Sequence, residues 1–258
     1  MTAPALEAAP PKPPNNLVGL ALLAGFLGLG AALQLTSLAK TPLTFAFVLL
    51  GWILAVMAHE FAHAFVAHLG GDTTIRAKGY LAFDPRRYVD VGVSLVIPLV
   101  ALALGGIGFP GAAVYLRNDL IRSRAWRAAA ALAGPGATLV VLLVLAYGLN
   151  LWSRAGFPSP LFEAVAMLAF LQATALILNL LPIPGLDGFG AIRPFLPVAW
   201  RPQILKAEGL TMAALLLIFF FVPGASSLLV GAAASLTAAL GVPREAIAGG
   251  WDAFHFWR

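Results

Sequence analysis

A run of almost entirely apolar residues from Thr44 to Ala67 carries His59-Glu60-Phe61-Ala62-His63 within its second half. About 20 apolar residues in a helix are enough to cross a bilayer. Such a stretch has no cheap place for ionisable groups, each of which costs about 2.5–3.5 kcal/mol on insertion scales and is a functional candidate by default. His59 and His63 are four residues apart, so they share one helix face and can grip one metal ion. Glu60 lies about 100° round from His59, beside that face, where it can reach water activated by the metal.

The rest of the chain supports a membrane setting. Of 258 residues, 60% are apolar and 10% are charged, against about 25% charged in soluble domains. The sequence therefore describes an integral membrane protein. The net charge of +5 does not point to nucleic acid, because basic residues in membrane proteins mark cytoplasmic loops. Cysteine is absent, which excludes thiolate ligands, disulfides and a cysteine nucleophile. The first 16 residues hold five prolines and Lys12. They read as a disordered tail with no cleavable signal.

The expected fold is an all-α polytopic membrane protein with about six transmembrane segments. Spans are expected at Leu17–Leu35, Thr44–Ala67, Trp126–Leu151, Leu161–Leu181 and Glu208–Val222. The stretch from Thr73 to Tyr88 alternates loosely and predicts a small β-hairpin. Residues 91–109 are apolar but interrupted by Pro98, Gly105, Gly106 and Gly108, with basic residues on both flanks. That pattern predicts a broken or re-entrant segment returning to the same side. Residues 1–16 form the tail, 17–222 the main domain with its core at 44–190, and 223–258 a membrane-associated C-terminal segment. Ser227–Leu240 either returns across the bilayer or lies along it.

With the N-terminus in the cytoplasm, 12 of the 16 basic residues fall on the cytoplasmic side, and only Lys40 and Arg154 fall on the outer loops. This orientation brings His59, His63 and Asp187 to the same side. A catalytic zinc takes three protein ligands and keeps one position open, so a third ligand is needed. His68 faces away from His59, His255 lies in the tail, and Glu163 is at the opposite end of its helix. Asp187 is the best remaining candidate, because Pro182, Pro184 and Gly188 break the preceding helix and let a carboxylate turn inward. Zn²⁺, Asp187 and Glu60 then sum to zero charge.

Two motifs in this order, His59-Glu60-x-x-His63 and Asn179-x-x-Pro182-x-Pro184-x-x-Asp187-Gly188, make the sequence resemble the site-2 protease family of intramembrane zinc metalloproteases. A third, Gly134-Pro135, is similar to the motif that opens the family's intervening helix. The resemblance covers roughly residues 45–190 and is to the compact prokaryotic branch without PDZ or CBS domains. It implies that His59, His63 and Asp187 bind one Zn²⁺ and that Glu60 is general base and then acid. It also implies that Asn179 holds the substrate strand or the oxyanion. Family members often carry Asn three residues after Gly-Pro; here that polar position is Thr138, which the resemblance implies, with Asn179, on the substrate or oxyanion side. Gly134, Pro135, Pro182, Pro184 and Gly188 are implied as structural support.

The implied function is hydrolysis of a peptide bond in or near a transmembrane helix of a membrane-protein substrate, in the cytoplasmic membrane of a prokaryote. The implied partners are that substrate and the lipid bilayer, with no nucleic acid; a homo-oligomer is left open. An extended Thr73–Phe83 segment would receive the substrate by strand addition. The alternatives are a catalytically silent relative that binds transmembrane helices and, behind it, a metal transporter.

Overall fold

In the computed structural model, residues 16–36, 40–84, 86, 116–156 and 159–255 are described, and among them no strand is present. Four helices are long and apolar enough to cross a membrane. These are α1 (Leu17–Leu35), α2 (Lys40–Leu69), α4 (Arg124–Arg154) and α5 (Pro160–Leu180). A fifth crossing is present if the bent pair Val198–Thr211 and Ala213–Phe219 counts as one span. The expected count of about six is therefore four or five among the described residues. The broken segment expected at 91–109 lies outside them, as does the tail at residues 1–15.

The other α-helices among the described residues are α3 (Thr74–Ala77), α6 (Asp187–Ile192), α7 (Arg201–Phe221), α8 (Ala225–Ala239) and α9 (Arg244–Phe254). Of these, α7 takes in most of that bent pair.

Helix α5 is apolar on every face, the signature of a helix enclosed by others, and it is buried along most of its length. Its start is fixed by Ser159, whose Oγ accepts from the Phe162 N–H at 3.2 Å, and by Pro160 in the first turn, where its missing N–H costs nothing. Helix α2 runs alongside it in the same direction. Lys40 Nζ meets Glu163 Oε2 at 2.7 Å, so the two helices start together and their far ends also lie together. Gly51 permits this closeness: a Cβ there would come within 2.6 Å of Leu168 and 2.8 Å of Phe26.

Helix α4 packs across α2 in the opposite direction. Its entry is tied to the end of α2 by the Arg122 N–H, which donates to the Gly70 carbonyl at 2.9 Å. The Arg122 guanidinium bonds the Leu69 and Gly70 carbonyls. These last-turn carbonyls have no partner within their own helix.

The hairpin expected within Thr73–Tyr88 is not what forms over its described residues. Thr74–Ala77 is a single helical turn, followed by turns to Phe83. Asp72 explains the difference. Its Oδ1 accepts from the Thr74 N–H at 3.0 Å and the Thr74 hydroxyl at 2.6 Å, and its Oδ2 from the Arg117 N–H at 2.7 Å. Local side-chain acceptors of this kind compete with extended structure. Gly79, at φ +74°, then closes the turn, with the Tyr80 N–H donating to the Ile75 carbonyl at 3.1 Å. The expected strand addition at Thr73–Phe83 loses its basis.

The C-terminal segment also takes a definite path. Helix α8 lies lengthwise on α5, with Leu229 beside Leu178 near one end and Ala233 among Phe170 and Ala173 further along. Helix α9 then folds over the starts of α2 and α5. Phe254 meets Phe45 at 5.0 Å, and Gly249 and Gly250 sit where a Cβ would collide with Glu163 and Met167.

Candidate metal centre

Because α2 and α5 are parallel, the late turns of α2 face the segment that follows α5. His59, Glu60 and His63 are all buried there. The His59 and His63 Nε2 atoms are 3.0 Å apart. Asp187 completes a triangle, with Oδ2 3.1 Å from His59 Nε2 and Oδ1 3.3 Å from His63 Nε2. Glu60 belongs to the same cluster: it offers a carboxylate oxygen within 4.8 Å of the ligand atoms of both histidines.

The chain after α5 folds to deliver that carboxylate. Pro182 and Pro184 cannot continue a helix. Gly185, at φ +96°, reverses the backbone, and the Leu186 N–H donates to the Ile183 carbonyl at 3.0 Å. The Thr211 hydroxyl of α7 donates to the Pro184 carbonyl and holds the turn. Asp187 then opens α6. Gly188 lies directly against the end of α5, where a Cβ would stand 2.2 Å from the Leu180 carbonyl oxygen. Only glycine fits there, so the Asp-Gly pair is a geometric requirement for bringing the carboxylate in. Asn179 is buried in the last turn of α5.

Helix α4 supplies the other wall through three residues at four-residue spacing, which share one face. The Ala130 carbonyl accepts from His63 Nδ1 at 2.7 Å. Thr138 Oγ1 is 2.8 Å from His59 Nδ1. Between them lies Gly134, where an added Cβ would sit 2.2 Å from His63 Nε2 and 2.5 Å from His59 Nε2. The absent side chain leaves open the space in front of both nitrogens. Pro135, inside α4, has no N–H to return to the Ala131 carbonyl. Membrane helices tolerate such breaks when neighbours take up the freed groups.

These donors fit a zinc ion. Ligand atoms held about 2.0–2.1 Å from a tetrahedral zinc are about 3.3 Å from each other, close to the 3.0, 3.1 and 3.3 Å edges seen. Two imidazoles and one carboxylate form a ligand set found in catalytic zinc sites. A carbonyl can only accept, so His63 carries a proton on Nδ1; in the neutral ring that leaves the Nε2 lone pair to bind metal. The cradle at Gly134 leaves room for the ion.

The other sequence candidates lie elsewhere. His68 Nδ1 bonds the Asp72 carbonyl at 3.2 Å, and His255 Nδ1 bonds the Trp251 carbonyl at 2.9 Å, in α9's last turn. Thr138, expected to serve the substrate, is turned toward the Nδ1 side of His59, away from the Nε2 atoms. The Ala130 carbonyl carries no sequence signal, since any residue has one. The clearance at Gly134 has one: a Gly-Pro pair in the middle of an apolar helix.

No family model and no solved structure matches the chain. Curated relatives do. The chain is 47% identical over 154 residues to a protein of Mycolicibacterium smegmatis named "Putative zinc metalloprotease Rip2", a match covering 59% of this chain and 58% of that one. It is 42% identical over 192 residues to the protein of the same name from Mycobacterium tuberculosis, covering 74% and 71%. It is 30% identical over 162 residues to "Putative zinc metalloprotease YwhC" of Bacillus subtilis, covering 60% and 72%.

Proposed function

The chain belongs to the site-2 protease family of zinc metalloproteases, and from that premise we propose that it is an intramembrane zinc endopeptidase cutting a membrane-protein substrate in or near a transmembrane helix. One observation carries the reading: His59, His63 and Asp187 converge to edges of 3.0–3.3 Å, beside Glu60, on a helix long enough to span a bilayer.

In this reading His59, His63 and Asp187 hold one Zn²⁺. Zinc, when bound, supplies Lewis acidity toward water and toward a peptide carbonyl. Glu60 is the general base: it takes the proton of the attacking water and returns it to the leaving amine. Positioned acid–base catalysis of this kind contributes about 10²–10⁴-fold. Burial of Glu60 keeps it from bulk water, so its proton is exchanged with the reacting groups. Asn179, buried where the α5 helix ends, offers an amide to the substrate backbone, which must unwind to be cut. The 12 basic residues on one side support a cytoplasmic N-terminus and cytoplasmic site loops.

The test is cleavage of a transmembrane substrate panel by protein reconstituted in vesicles, comparing wild type with Glu60→Gln. The expected result is cleavage by wild type, at least 100-fold less by Glu60→Gln, and about one zinc per chain in both. Undiminished cleavage by Glu60→Gln would overturn the role of Glu60. Zinc at one per chain with no cleavage by wild type of any substrate would turn the reading to a silent helix-binding relative.

A further inference from the structure

A neutral imidazole has one N–H. If Nε2 is to bind a metal, Nδ1 must carry the proton, and in a dry helix–helix interface that N–H must find a protein acceptor. For His63 the acceptor is fixed, because the Ala130 oxygen is a carbonyl. For His59 the partner is a hydroxyl, Thr138 Oγ1 at 2.8 Å, which can donate or accept. Only the accepting arrangement leaves His59 Nε2 with a free lone pair.

We propose that Thr138 is a positioning residue that accepts the His59 Nδ1 proton and so fixes the ring as a metal ligand. The inference rests on the proposed zinc site. Thr138 is 3% exposed, so little water can replace its hydroxyl. The two acceptors on α4 also match the two histidines in spacing. His59 and His63 are about 6 Å apart along α2 at about 1.5 Å per residue, whereas Ala130 and Thr138 are about 12 Å apart along α4. A helix carbonyl points toward the C-terminus, and a helix side chain leans toward the N-terminus. The Ala130 oxygen and the Thr138 hydroxyl therefore reach toward each other, past Gly134, and narrow the interval toward that of the imidazoles. Helix α4 runs opposite to α2, so the order also agrees: Ala130 serves His63, and Thr138 serves His59.

Thr138→Val keeps the β-branched shape and removes the acceptor. Thr138→Ser keeps the acceptor and removes the methyl. The experiment measures zinc affinity of the full-length protein in detergent by competition with a chromogenic chelator, and the d–d absorption of the Co²⁺-loaded protein. Neither readout needs a substrate.

Thr138→Val is expected to bind zinc about 10–100-fold more weakly, as other losses of outer hydrogen bonds to ligands do. Its cobalt spectrum should be altered, while its thermal midpoint without metal stays at the wild-type value. Thr138→Ser is expected to restore both readouts to near wild type. Equal affinity and an equal cobalt spectrum for wild type and Thr138→Val would overturn the inference and leave the protease reading standing. A Thr138→Ser protein as weak as Thr138→Val would also overturn it, since the methyl and its packing would then be what matters. A wild type that takes up no zinc would remove the proposed function and this inference with it.

Discussion

The two ends of the α2–α5 pair both place ionisable side chains in an apolar bundle, and they treat them differently. At the starting end Lys40 and Glu163 are opposite in sign and meet at 2.7 Å, under α9. At the far end two imidazole nitrogens and a carboxylate, with Glu60 beside them, point at a common space kept clear by Gly134. The first arrangement is complete in itself. The second gathers lone pairs and so calls for a cation. The lesson is that an ionisable side chain in the bundle does not by itself mark a site; whether the local charges cancel among themselves decides between a site and a strut.

Substitutions can break that contrast, beginning where the largest effect is expected. Removing a ligand, in His63→Ala or Asp187→Ala, should lower zinc from about one per chain to near zero and abolish cleavage. Metal analysis of purified protein checks this. Full zinc in Asp187→Ala would remove Asp187 from the ligand set.

Next comes Gly134→Ala, which adds a Cβ 2.2 Å from His63 Nε2. Zinc affinity should fall by more than about 100-fold, beyond the 10–100-fold usual for outer-shell losses. Chelator competition reads it, and wild-type affinity would mean that the cradle is not where the ion sits.

Gly188→Ala presses on the Leu180 carbonyl and moves the Asp187 carboxylate indirectly. A loss of about 10–100-fold in zinc affinity is expected.

At the other end Lys40→Met should leave zinc content unchanged. Lys40 is 41% exposed on its side chain, so solvent screening holds the cost to about 1 kcal/mol, read as a small fall in thermal midpoint. A fall in zinc content would show that the two ends are coupled and would erase the contrast.

The smallest effect belongs to Arg117 and Asp119, an exposed pair at 2.7 Å. The hydrogen bond from Arg117 holds the Asp119 carboxyl down at about 2. A depressed carboxylate contributes only above its ordinary range near 4 and loses that contribution as pH falls toward 2. Arg117→Ala should therefore leave the thermal midpoint unchanged only below about pH 2, with at most a slight fall at neutral pH.

Much of this architecture is written in residue types. The apolar runs fall within a few residues of α1, α2, α4, α5 and α8, because long apolar segments have one solution in lipid. The His59, Glu60 and His63 cluster follows from helical spacing, and the proximity of Asp187 follows from direction and elimination. What is not legible depends on particular atoms. Asp72 turns an alternating stretch into a helical turn through three acceptor contacts, one of them to Arg117, 45 positions away. The Ala130 carbonyl belongs to the backbone. Thr138 reads as a polar residue near the site, but which face of His59 it serves is decided by the antiparallel packing of α4. Helix α9 escapes notice because its mixed composition satisfies no simple span rule, although Gly249 and Gly250 fit closely on Glu163 and Met167.

Helix α2 has 30 residues, about 45 Å at about 1.5 Å per residue. The hydrocarbon layer it crosses is about 30 Å thick. If Lys40 stays at one boundary, that thickness is used up at about residue 60, and the remaining turns to Leu69 project into the headgroups. His59 and Glu60 then stand where oil gives way to water. On the proposed reading, hydrolytic water has only a short way to travel. On that same reading, the bond cut would lie near one end of the substrate's own span rather than at its midpoint.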